Sequence, residues 1–141
     1  MKTTKILVQK SETGLSEDNK AKLKSLKIYK DKKHFKFSNG WVDLAYELGK
    51  NIEEVCKLAN CELPKIEAMY NKYNTLRVDY NFTSPVPKIV ETLIDSLIYV
   101  TEDKSEMICE YCGKSCDIEI TEKNNNYINA CEKCFNRKNR V

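Results

Sequence analysis

Five of the chain's seven cysteines fall in one short stretch, ICEYCGKSCDIEITEKNNNYINACEKCF. Cys109 and Cys112 bracket two residues, Cys131 and Cys134 do the same, and 18 residues separate the pairs. No other feature limits the fold so strongly. A tetrahedral ion needs four ligands, and a two-residue gap lets one tight turn aim two sulfurs at it. So short a segment cannot bury a core of its own, and metal binding supplies the folding free energy instead. Gly113 follows the second cysteine, where a turn benefits from a residue tolerant of positive φ. Between the pairs, DIEIT and YINA alternate apolar and polar residues around EKNNN, which predicts a hairpin.

Two other uses of paired cysteines stand beside zinc. A thioredoxin-like CxxC opens a helix in a βαβ unit, and neither pair does so. Disulfides belong to oxidising compartments. The expected ligands are therefore Cys109, Cys112, Cys131 and Cys134, around one structural Zn2+. Four thiolates leave no position open for a water, which argues against a catalytic metal. Cys116 is a fifth thiol, expected to be a bystander, with a ligand swap left open. Residues 108–135 resemble the four-cysteine zinc-ribbon and treble-clef fingers, with CEYCGK as the knuckle. That resemblance implies a structural metal and leaves the activity to the rest of the chain.

At 141 residues, 41% hydrophobic and 32% charged, the chain is sized for one modest core plus a finger. The first residues, MKTTKILVQKSETG, hold one lysine-bracketed apolar triplet, and no apolar run approaches the roughly 18 residues of a membrane span. No signal peptide, no membrane contact and a reducing, cytoplasmic setting are the expectations. The net charge of +3 is uneven. Residues 1–40 carry eleven lysines against four acids, net +7; residues 41–107 carry seven bases against twelve acids, net −5. The arm attracts phosphates or an acidic surface, or is a solvated lysine face. Only three bases are arginines, which weakens the case for bidentate phosphate or guanine recognition.

Along the chain, TKILV reads as a short strand, and LSEDNKAKLKSL as a helix capped by Ser16. LKIYKDKKHFKF alternates as a hairpin would, with Leu26 and Ile28 opposite Phe35 and Phe37. His34, the single histidine, reads as a surface residue beside lysines. WVDLAYELGKNIEEVCKLAN (residues 41–60) resembles a helix-turn-helix, with Leu44, Ala45, Leu48, Val55 and Leu58 in the packing positions and Gly49 at the turn. A plain helical hairpin explains the same positions. The resemblance would turn Asn51, Ile52, Glu53, Cys56, Lys57 and Asn60 outward. ELPKIEAMYNKYNTL places Ile66, Met69, Tyr70 and Tyr73 on one helical stripe behind Pro64, with RVDYNFTSP as an extended connector. PKIVETLIDSLIYVTED carries Ile89, Val90, Leu93, Ile94, Leu97 and Ile98 in two apolar rows, as core or as an interface.

The expected fold is α+β: a small basic β-containing N-terminal part, a helical middle, and a zinc-bound hairpin finger. Residues 1–104 form the first domain and 105–141 the finger with its basic tail, or the finger docks against the last helix as one unit. No catalytic motif or phosphate-cradling glycine loop is present, so no enzyme and no small-molecule substrate are expected. A small nucleic-acid-binding, transcription-regulator-like protein is the first functional reading. Its candidate contacts are Asn51, Lys57 and Asn60, Lys32 and Lys33 in the arm, and Arg137, Lys138 and Arg140 in the tail. The alternative is a protein-binding modulator or inhibitor of a larger machine, similar to anti-sigma or phage-encoded regulators, with zinc purely structural.

Overall fold

Ser16 opens the first regular element. Its hydroxyl accepts the Asn19 N–H at 3.2 Å, and helix α1, Glu17–Lys24, begins with Glu17 and Asp18 and ends with Lys22 and Lys24. That charge order suits the helix dipole. The computed structural model describes residues 14–31 and 35–114 in full, the backbone of 119–123 and 126–130, and Cys134. The expected strand TKILV, the lysine pair Lys32 and Lys33, His34, Cys116, Cys131 and the tail residues Arg137, Lys138 and Arg140 lie outside the described residues.

After α1 come a 3-10 helix, Lys27–Tyr29, and the two-residue strand β1, Phe35–Lys36. The expected hairpin across DKK is not formed. Phe35 pairs instead with Met69, in parallel with strand β2, Lys65–Lys72. Of the residues expected to face one another, Leu26, Phe35 and Phe37 are buried and Ile28 half-buried, around a 3-10 helix and a short strand and not in two facing strands. Tyr29, Phe35 and Phe37 stack edge to face in sequence.

Helix α2 runs unbroken over Val42–Ala59 and replaces the expected helix-turn-helix. Its buried residues Val42, Ala45, Leu48, Gly49, Ile52 and Cys56 keep one helical phase from end to end. Gly49 is there for space, not for a turn. A Cβ on it would lie 2.7 Å from the Tyr29 ring and 2.8 Å from Leu26. Tyr29 is fixed in that position because its hydroxyl donates to the Ala45 carbonyl at 2.7 Å. The helix ends at Asn60, whose φ of 56° is left-handed. Asn60 N–H reaches the Lys57 carbonyl and Cys61 N–H the Cys56 carbonyl, the paired bonds of a Schellman motif.

The segment expected to be a third helix is a β-hairpin. β2 pairs antiparallel with β3, Thr75–Asn81, around Tyr73 and Asn74, both at positive φ (54° and 67°). Two positive-φ residues make the type I′ turn that matches strand twist. Asn71 fastens it by accepting the Asn74 N–H. A bulge between Ile66 and Ala68 explains the mistaken helical stripe. One extra residue puts Ile66 and Met69 on the same buried face at a spacing of three.

Helix α3, Lys88–Ser105, packs on α2 and on β3. Its two apolar rows part company. Val90, Ile94 and Ile98 are buried and Leu97 packs half-buried against the core, whereas Ile89 and Leu93 stay exposed, as does Val100. Below it, Ser105 donates to the Glu102 carbonyl and accepts from the Leu76 N–H, tying α3 to the sheet. The described chain is thus α+β, with three helices and a three-stranded sheet ordered β1-β2-β3. A separate antiparallel pair, β4 (Glu119–Lys123) and β5 (Asn126–Ala130), lies between the cysteine pairs.

Candidate metal centre

The last turn of α3 hands the chain to Ile108, and the first cysteine pair folds at once into a tight loop. Cys109 N–H donates to the Lys114 carbonyl at 3.0 Å, and Gly113 N–H returns to the Cys109 carbonyl at 2.9 Å. Cys112 N–H points at the Cys109 sulfur, 3.5 Å away. Gly113 has φ 80°, and a side chain there would also meet the Gly40 carbonyl at 3.0 Å. Only glycine satisfies both demands.

The loop brings Cys109, Cys112 and Cys134 together, with their sulfurs all within 4.8 Å of one another. Around a tetrahedral ion with bonds of about 2.3 Å, thiolate sulfurs sit about 3.8 Å apart, so the cluster is the size of a metal site. Cys109 and Cys134 are buried. Buried thiolates need a cation beside them, and an N–H aimed at one sulfur suits the charged form. These residues fit a metal ion, and a soft all-sulfur set suits zinc or another thiophilic metal. Cys131, the fourth expected ligand, lies outside the described residues.

The knuckle is fastened to the main core by residues the sequence did not single out. Glu110 is only 5% exposed. Its carboxylate accepts the Ser38 N–H at 3.1 Å and an Asn71 amide N–H at 2.7 Å. Gly40 N–H donates to the Glu110 carbonyl, and the buried Trp41 indole N–H donates to the Ile108 carbonyl at 2.9 Å. Gly40 leaves no room for a side chain: a Cβ would stand 2.3 Å from the Cys109 carbonyl oxygen. Partners 67 and 72 residues apart meet here, and nothing local to SNGW announces them.

Of the expected nucleic-acid contacts, three lie among the described residues. Asn51, Lys57 and Asn60 are exposed on α2 and at its end. Of the other positions expected to face outward, Ile52 and Cys56 are buried in the core, and Glu53 accepts the Ile28 N–H at 2.8 Å. Conversely, Leu58, expected to pack, is 77% exposed. The outward face is therefore rotated from the one the helix-turn-helix pattern implied. Lys22 of the basic arm pairs with Asp43 at 2.9 Å and lies over the Tyr46 ring.

No helix of the described residues is long and apolar enough to cross a membrane. Compared with protein families, with curated proteins and with solved structures, the chain finds no match.

Proposed function

We propose that this chain is a small zinc-binding regulatory protein that acts by holding a protein partner. Zinc serves structure alone, completed by Cys131 as fourth ligand, and the action is binding, not catalysis. Four thiolates would leave the ion no open position for a water or substrate. The observation that carries a protein partner is the outer row of α3. Ile89 is 67% exposed, Leu93 47% and Val100 46%, one helical stripe beside the buried row. Apolar rows of this kind mark contact surfaces. The acidic balance of residues 41–107, net −5, suits a protein partner better than a phosphate backbone.

A nucleic-acid reading keeps one specific support, the net +7 of residues 1–40. Against it, α2 is continuous and its Ile52 and Cys56 face inward. Two measurements separate the readings. A photoreactive residue replacing Leu93 should crosslink to a discrete protein in the native cell, while the same group replacing Lys65 should not. Zinc-loaded protein should not bind generic duplex DNA even at about 50 mM salt. Binding that collapses between about 50 and 200 mM salt, with no crosslink from position 93, would reverse the order of the two readings.

A further inference from the structure

The C-terminus of α2 holds a second pair of cysteines, away from the metal centre. In a Schellman motif the residue three positions before the cap and the second residue beyond the helix commonly touch through apolar side chains. Here those two positions are Cys56 and Cys61. The motif is complete: Asn60 is left-handed, its N–H reaches the Lys57 carbonyl at 3.2 Å, and the Cys61 N–H reaches the Cys56 carbonyl at 2.9 Å. That last bond joins the backbones of the two cysteines themselves. Across that bond of 2.9 Å the two Cα atoms are at most about 6.8 Å apart, the outer reach of a disulfide.

The two thiols differ in access. Cys56 is 2% exposed within the main core, and Cys61 is half-buried at its edge. Both are reduced, and the Cys61 sulfur leans on the Ala59 carbonyl at 3.5 Å. Burial, and then the neighbouring Cys61 sulfur, push the Cys56 thiol above its ordinary value. Cys56 is thus shielded from an oxidant in solution while Cys61 is open to it, so Cys61 is the thiol oxidised first.

We infer that Cys56 and Cys61 form a redox-sensitive dithiol, oxidised by hydroperoxides to a disulfide that clasps the end of α2. The Cys61 sulfur attacks the peroxide, breaking its O–O bond and gaining one oxygen as sulfenic acid, while the peroxide leaves as water or an alcohol. The Cys56 sulfur then displaces that hydroxyl, which departs as water, and the S–S bond forms. The two electrons lost by the thiols are those taken by the peroxide, and two external thiols reverse the step by exchange. The motif already closes the same six residues, which shortens the loop that the disulfide has to close. The clasp is independent of any partner at α3.

The chain carries its own diagnostic cleavage pattern. Lys50, Lys57 and Lys65 place Cys56 in one tryptic peptide, NIEEVCK, and Cys61 in the next, LANCELPK. Zinc-loaded full chain is treated with hydrogen peroxide, blocked with a maleimide and digested, with zinc release followed in parallel. The expected result is NIEEVCK joined to LANCELPK, formed before zinc leaves and absent in C61S. Recovery of both peptides separately blocked, while the knuckle cysteines oxidise, overturns the inference. So does recovery of Cys61 as sulfinic acid beside a blocked Cys56. So does a link that appears only after zinc is lost, because the clasp would then be a product of unfolding. Circular dichroism of C61S distinguishes loss of the link from loss of the fold.

Discussion

Gly40 is a residue whose missing side chain joins two parts of the molecule. Adding one carbon there would drive it to 2.3 Å from the Cys109 carbonyl and 2.5 Å from the Glu110 backbone. Backbone cannot rotate aside as a side-chain tip can. Gly40→Ala is therefore expected to cost about 2–3 kcal/mol, at the upper end for forced overpacking, and to weaken metal binding with it. Urea melts of the zinc-loaded protein and a competing chelator read the two effects; an unchanged midpoint would show that the knuckle is not seated on Gly40. Glu102 is half-buried and its carboxyl is raised, first by burial, against the N–H of Val78 that it accepts at 3.0 Å. A raised folded-state value stabilises the fold below the ordinary carboxyl range, and the contribution is lost as pH rises through the folded value. Glu102→Gln keeps an acceptor for Val78 and removes the charge. The variant should gain on the wild type between pH 4 and pH 7 in thermal melts; a gap that narrows as pH rises would contradict this sign.

Helices were legible in the sequence where one physical rule acted alone. Ser16 and the acidic pair behind it marked α1 at its start, and the spacing of Val90, Ile94 and Ile98 marked α3. The errors came where two causes produce one pattern. Gly49 in a 41–60 stretch signals either a turn or a close approach, and only the position of Tyr29, twenty residues earlier, decides between them. The bulge at Glu67 gave Ile66 and Met69 the spacing of a helix inside a strand. The signal for β2 and β3 lies in turn chemistry: YNT between two polar-apolar runs allows an asparagine at positive φ. Alanine at an ordinary helical glycine would gain up to about 1 kcal/mol, but the Tyr29 ring, held by its bond to Ala45, resists. Gly49→Ala should destabilise by about 1–2 kcal/mol with helical content preserved. A stabilised variant would mean that the ring moves freely.

For the whole molecule, the cysteine spacing foretold a knuckle but not where it sits. The cluster of Cys109, Cys112 and Cys134 was legible because ligand chemistry demands particular residues at particular gaps; its docking was not, because Ser38, Gly40 and Asn71 meet it through ordinary backbone and amide groups. Docking makes metal content a matter for the core. Trp41, the only tryptophan, is fully buried with its indole N–H on the Ile108 carbonyl. With the proposed zinc in place, a chelator should shift tryptophan emission to the red and lower the thermal midpoint of the whole domain. Emission that holds steady while zinc is removed would show that the knuckle loosens by itself.

The same fastening imposes a schedule on synthesis. The Ser38 and Trp41 groups that hold the knuckle are made 72 and 67 residues before their partners. At about 5–20 residues per second, the nascent chain waits roughly 4–14 s for that closure. During that interval the Trp41 indole N–H lacks its Ile108 acceptor, and the newborn segment depends on whatever shelters apolar surface near the ribosome. A codon-level slowdown between positions 41 and 108 would lengthen that exposure, and hasty translation there would shorten it.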